Sequence, residues 1–352
     1  MKNHLKKIIL AGIAGALLAP SLHAVSVSIV TVGGNASIKL VQDRLTNSVG
    51  GLLPGGTIVN NATNTLIFRA TGNWGSTNVT WDFNFTGGAA AILDIANQNH
   101  VTLQDNSSAI PVSAISITAP ETVGINSTAL GIQQDYTLVA PLVYVKNNGA
   151  DLVGVSNITQ RLANYLESSG GTLPATYFGG ATANPVYFVG RNTAAAVRQV
   201  LDANIFFTGS AINYHTNSAG NPVAWAGAGS GTEVANNVTI IPGSIGTLAV
   251  QDAGSLTKLS YEGVPFSTAN VINGTYPLWG YERYIYFPAP DSRAPSANQL
   301  TLIQALESAV SDPTYDHSNS LFVNKFVSYA DVNASVQRSA TLDGGLIFSQ
   351  VY

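Results

Sequence analysis

The chain has 352 residues, 15 of them basic and 19 acidic, with a net charge of −4 and no cysteine. Disulfides are therefore excluded, and a packed core alone must hold the fold. No basic face is available to displace counterions, which argues against nucleic-acid binding.

In chain order, residues 1–24 read as a cleavable secretory signal. Lys2, Lys6 and Lys7 give a positive start, Ile8 to Leu18 is an uncharged apolar run, and Leu22-His23-Ala24 offers a small residue for cleavage. The run is too short to span a bilayer, which takes about 20 apolar residues. Cleavage after Ala24 would remove three basic and no acidic residues and move the net charge to −7. No cysteine follows that could carry a lipid anchor. The expected location is the periplasm or the exterior, as a free, monomeric protein.

Val25 to Val32 alternates small polar and β-branched residues and predicts a strand. Gly33-Gly34-Asn35-Ala36-Ser37 turns into a helix over Ile38 to Leu45. Such a helix start presents free backbone N–H groups suited to an anion. Thr65 to Ala70 and Asn78 to Phe85 read as strands, Thr86-Gly87-Gly88 as a turn, and Ala89 to Asn97 as a helix. Val101 to Leu103 is a short strand that ends at Gln104-Asp105-Asn106. Tyr136 to Val145 is strongly β, and Thr159 to Glu167 is helical up to the stop at Gly170-Gly171. Val186 to Val189 predicts a strand running into a helix over Ala194 to Asp202, with Arg198 on its solvated face. Ala224 to Thr232 reads as a flexible loop and Val238 to Val250 as a strand broken at Pro242-Gly243. Tyr281 to Phe287 is an aromatic strand, and Asn298 to Val310 a helix. A helix around Phe322 to Tyr329 and a strand over Leu346 to Val351 close the chain. Strands alternating with helices argue for an α/β fold with a largely parallel sheet.

Motifs for catalysis are missing. The histidines at 100, 215 and 317 have no metal-ligand spacing to a second ligand. There is no nucleophile elbow, phosphate-binding P-loop or dinucleotide fingerprint. Neither an enzyme nor a cofactor is expected.

The segment Val186 to Arg198, Val-Tyr-Phe-Val-Gly-Arg-Asn-Thr-Ala-Ala-Ala-Val-Arg, resembles the phosphate-binding segment of the periplasmic phosphate-binding proteins, Arg-X-X-X-Ser-Gly-Thr opening a helix. Five further stretches agree in order. They are Gly33 to Ser37, Thr86-Gly87-Gly88, Gln104-Asp105, Gly243-Ser244-Ile245-Gly246, and Leu259 to Val264 followed by Asn270 to Trp279. The resemblance implies a type II periplasmic-binding-protein fold: two α/β lobes, two crossover strands and a ligand cleft between the lobes. The implied first lobe covers 25–137, the second 138–247, and 248–352 returns to the first. The crossovers fall near Thr137 to Val143 and Thr247 to Gln251.

The resemblance also implies a site. Ser37 and Thr86, with Gly87 in the second loop, would donate to a small oxyanion, phosphate being the first guess. Arg191 would pair with its charge. Asp105 would accept the ligand's proton and so reject sulfate, which has none to offer. An ABC-type membrane permease would be the partner in uptake. Two hydroxyl donors of the family segment are replaced by Ala195-Ala196-Val197, and the serine before Asp105 is Gln104. The alternative is that the binding-protein fold has been reused as a secreted surface or matrix protein with no small-anion ligand.

Overall fold

In a computed structural model, residues 25–210, 212–312, 325–337 and 348–349 are described. The signal segment, His317 and most of the terminal strand expected over Leu346 to Val351 lie outside them.

The architecture is mixed α/β around one large sheet. Its strands are β1 (Ser26–Gly33), β2 (Thr57–Asn60), β3 (Ile67–Trp74), β4 (Thr77–Asn84), β5 (Ser113–Ser116), β6 (Gln133–Lys146), β7 (Thr172–Pro174), β8 (Pro185–Val189), β9 (Ser244–Ala249) and β10 (Trp279–Tyr286). They lie in the order β7-β8-β9-β6-β10-β5-β1-β4-β3-β2. The main helices are α1 (Ile38–Thr46), α2 (Gly88–Asn97), α3 (Gln160–Ser168), α4 (Ala196–Ile205), α5 (Gly231–Ile240) and α6 (Ala297–Ser311).

β6 makes two lobes out of one sheet. Its first part, Gln133 to Pro141, pairs with β10, and its second part, Leu142 to Lys146, pairs with β9. β9 then ends at Ala249, and a short 3-10 turn over Val250–Asp252 leads out of it. These are the two crossovers of a two-lobed fold. All six residues of β9 and all eight of β10 are buried, as strands covered on both faces must be.

The sheet is mixed rather than largely parallel. β1 runs parallel to β4 and β5, and β8 to β9, but the pairs β3–β4, β6–β9, β6–β10 and β5–β10 are antiparallel. Of these only β3–β4 joins neighbours in the chain; the other three pair strands far apart in sequence, which local periodicity does not reveal. Two other expectations shift. Val238 to Ile240 closes α5, whose start is fixed by a capping box between Ser230 and Glu233, so the expected loop over Ala224 to Thr232 ends in a well-formed helix start. Thr257–Lys258 pairs with the second half of β6, and Ser260–Tyr261 with Asn157–Ile158. The last described helix is Tyr329–Ser335, later than expected.

The first-lobe core contains a ladder of rings. Phe68 stacks on Phe83 at 4.7 Å, and Phe83 lies 5.7 Å from Phe85 and 5.2 Å from Trp81. The indole N–H of Trp81 donates to Thr31 Oγ1 at 2.8 Å, so the ring is buried with its one polar atom satisfied. In the second lobe, Arg198 is 1% exposed, not on a solvated face. It pairs with Glu167 at 2.8 Å and Asp202 at 2.6 Å, against the rings of Phe188 and Phe207.

Candidate functional site

The N-termini of three helices meet where the lobes face each other. α1 follows a 3-10 turn over Asn35–Ser37, α2 follows Gly87, and α4 follows Ala195. The cleft between them is lined by Gly34, Ser37, Gly88, Arg191, Ala196 and Glu282, among others. Each helix start carries unpaired N–H groups and the positive end of a dipole, so the convergence favours an anion.

Close packing brings the loops together. A Cβ on Gly88 would lie 2.7 Å from the Ala196 Cβ, 2.9 Å from Ser116 Oγ and 3.3 Å from the Gly34 Cα. The Ala196 methyl thus sits directly on glycine backbone of the opposing lobe. Thr118 Oγ1 adds a hydrogen bond to the Ala196 carbonyl at 3.3 Å. The remaining volume is about 10 Å³, close to what one water occupies.

Of the residues implicated by sequence, Ser37 and Arg191 line the cleft. Ser37 is 1% exposed, stands at the N-cap of α1 and makes no side-chain cap there. Its hydroxyl faces Glu282 instead. Arg191 is 3% exposed and follows the end of β8, where its backbone bridges Ala228. Its Nη2 donates to the Gly229 carbonyl at 2.8 Å. Burial lowers its pKa, and the nearby charges of Asp252 and Glu233 work against that shift.

Gly87 is the N-cap of α2, in extended conformation beside the cleft, and its N–H is spent on the Gly33 carbonyl. Thr86 is exposed, and its hydroxyl donates to Asn84 Oδ1 at 2.6 Å. Asp105 does not line the cleft. It lies in the turn of the small hairpin Val101–Thr102 and Ser108–Ala109, ion-paired to Arg69 at 3.1 Å. Ser107, through both its hydroxyl and its backbone N–H, is the main cause holding the Asp105 carboxyl down to about 2, and Arg69 adds to it. The physical reason for its position is local. A tight hairpin aims the carboxylate at its own turn and at the strand beside it.

Glu282 escaped the sequence reading. It lies in the middle of β10, 1% exposed, with its carboxyl lining the cleft. Burial pushes its pKa up to about 7, while the nearby hydroxyls of Ser37 and Thr137 pull in the other direction. The available signal was a Glu-Arg pair inside an otherwise aromatic, uncharged strand. Its neighbour Arg283 is fully buried too, donating from Nη1 to the carbonyls of Ile117 and Tyr281 at 3.0 Å each.

A larger groove of about 750 Å³ lies on the second lobe, between α3 and Tyr177–Phe178. Its amides are committed elsewhere: Asn157 accepts from Gly263 N–H, and Asn164 donates to the Ile205 and Phe206 carbonyls. Size alone favours the groove, but converging polar groups favour the cleft. Among the described residues no cluster of His, Asp and Glu could hold a metal ion, and no helix is long and apolar enough to cross a membrane.

No family model matches the sequence, and no curated protein matches it. Solved structures do resemble the fold. One is described as a phosphate ABC transporter substrate-binding protein with bound phosphate from Clostridium perfringens. It is 12% identical, with a TM-score of 0.57 over 86% of this chain and 99% of that one. Another, the high affinity periplasmic phosphate-binding protein PfluDING bound with phosphate, is 12% identical with a TM-score of 0.54 over 90% and 96%. An ABC-type phosphate transport receptor from Vibrio cholerae is 14% identical, with a TM-score of 0.51 over 83% and 96%. These neighbours are binding and transport-receptor proteins, and at such identities the likeness is one of fold. The chain thus has the two-lobed fold seen in phosphate transporter substrate-binding proteins.

Proposed function

We propose that the chain is an exported solute-binding protein whose inter-lobe cleft takes a small tetrahedral oxyanion, phosphate foremost. It acts without catalysis and hands the anion to a membrane transporter. The observation that carries this reading is the convergence of three helix N-termini, Ser37 and the buried Arg191 on one cleft. The printed descriptions of the structural neighbours agree with it, since they name phosphate-binding and transport proteins. The signal-like N-terminus agrees with export.

The closed cleft admits no more than about one water, so an anion enters only when the lobes part by hinge motion. Binding is also weaker than a segment with two hydroxyl donors would give. Each lost hydrogen bond to a charged ligand costs about 1.5–3 kcal/mol. Two of them weaken binding by roughly two to four orders of magnitude. Titration calorimetry of phosphate into residues 25–352 is the test. Heat saturating in the micromolar to millimolar range supports the proposal, and Arg191→Ala is expected to abolish it. An Arg191→Ala protein that binds as well as the wild type sinks the site.

A second reading has its own observation. The Ala196 methyl packs on Gly88 and Gly34, and Val197 lines the same cleft, so the lobes are held together by apolar contact. That favours a binding-protein fold reused as a surface or matrix protein. Small-angle scattering separates the two, because a solute-binding protein compacts on adding phosphate and a permanently closed one does not.

A further inference from the structure

Glu282 is an ionisable group in the cleft that the helix N-termini and Arg191 leave unexplained. Taking a carboxylate out of water is costly unless a cation pairs with it, and among the described residues no cation contributes to the environment of Glu282. The groups around it are Ser37 on the turn before α1 and Thr137 on β6, whose Oγ1 lies 3.5 Å from Glu282 Oε1. Tyr284 lies two residues along its own strand and faces both Glu282 and Glu307 of α6. Arg191 stands in the same cleft on the second lobe, with Asp252 and Glu233 behind it.

We infer that Glu282 is the carboxyl that meets the ligand, and that it does so as a neutral acid donating its proton in a hydrogen bond to an oxyanion oxygen. The cleft then accepts tetrahedral oxyanions whether or not they carry a proton, sulfate as well as phosphate. This deepens the cleft reading and rests on it. An ionised carboxylate facing an anion in a site closed to water would repel it strongly. The protonated group removes that repulsion and supplies a donor where Ala195, Ala196 and Val197 supply none. Burial already raises the carboxyl to about 7, and a bound anion raises it further, so binding takes up a proton. Asp105 plays no such part, because it is exposed, ionised and paired with Arg69 outside the cleft.

Sulfate is the informative probe, since its own charge does not change near neutrality. The experiment is calorimetry of sulfate and of phosphate with residues 25–352 across about pH 6 to about pH 8.5, in buffers of differing ionisation heat. Sulfate affinity is expected to be flat below about pH 6 and to fall up to about tenfold per unit above about pH 7. Up to one proton per anion should be taken up at the alkaline end. Glu282→Gln keeps the shape and the donor, so it should bind sulfate with neither slope nor proton uptake. If that variant does not fold, Glu282→Met serves: it should also lose the slope, and bind more weakly at every pH. Equal slopes in wild type and variant, or phosphate bound at about pH 6 with sulfate excluded, overturn the inference. Infrared difference spectroscopy of the anion-free protein, wild type minus Glu282→Gln, gives a separate readout, a protonated-carboxyl band at about pH 6 that belongs to Glu282 and not to Glu307 or the other buried carboxyls. Absence of the band overturns the proton-donor role even where anions bind. A band that is present while neither anion binds at any pH overturns the cleft as an anion site, and the inference with it.

Discussion

Arg198 lies between two carboxyl groups, Glu167 at 2.8 Å and Asp202 at 2.6 Å, in a pocket walled by Phe188 and Phe207. One cation cannot balance two buried anions. Burial accordingly pushes both carboxyls upward, against the pull of Arg198. Removing the cation leaves the ionised Asp202 uncompensated beside Glu167, which burial raises to about 8, a change that typically costs about 3–5 kcal/mol. Arg198→Met is therefore expected to lose about that much stability in urea unfolding near neutral pH, and less in acid, where the carboxyls are protonated. Adding Glu167→Leu should recover a large part of the loss. Recovery by the apolar pair would show that the cluster specifies a geometry more than it stabilises one. Arg191 differs in kind. Its Nη2 donates to the Gly229 carbonyl, and the charges of Asp252 and Glu233 lie nearby and support its protonated form.

At the scale of elements, the start of α2 against the start of α4 decides whether the lobes can close. Gly88 has ordinary helical neighbours, so alanine there is no burden to its own helix. The burden falls on both sides of the cleft, because the new methyl would lie 2.7 Å from the Ala196 Cβ of the facing lobe and 2.9 Å from Ser116 Oγ of its own. Gly88→Ala should hold the cleft open, with Ser116 Oγ turning aside: a larger radius of gyration in small-angle scattering, and faster amide exchange over 195–197. Gly88→Ala combined with Ala196→Gly removes one methyl for each one added and should restore closure. A double variant as open as the single one would mean that the contact does not govern closure. β6 is the other element that matters. One strand of 14 residues serves both lobes, and its partner changes from β10 to β9 between Pro141 and Leu142.

For the whole molecule, acid groups set an unusual pH dependence. Glu282 and Glu307 are raised to about 7 and Asp252 to about 6, in each case chiefly by burial. An acid whose folded pKa lies above its unfolded value binds its proton more tightly when folded. It costs the fold nothing below the unfolded pKa and a growing amount as pH rises to the folded one. Stability should therefore fall between about pH 4.5 and about pH 7, with Glu282 alone contributing about 3 kcal/mol of the loss. Asp105 and Asp291 act in the opposite sense, being lowered to about 2, but both are exposed and screened. The melting temperature is expected to peak on the acid side of neutrality, and Glu282→Gln to flatten the decline. A maximum at or above about pH 8 would contradict this account of the buried carboxyls.

Much of this protein was legible in the sequence. Glycine turns between alternating strands and helices mark the α/β class, because those signals are local and written in neighbouring residues. The order of weak motifs located the loops of Gly33 to Ser37 and Arg191 at one cleft before any coordinates. Other matters were decided only by tertiary structure. Antiparallel pairing in the sheet, the split partnership of β6 and the burial of Arg198 depend on residues far apart in the chain. So does the placing of carboxylates. Asp105 follows its hairpin to Arg69, whereas Glu282 reaches the cleft from a strand more than 240 residues beyond Ser37, the hydroxyl it faces. A spacing rule reads contacts within a turn or a strand, and the chemistry of this cleft is assembled across the whole sheet.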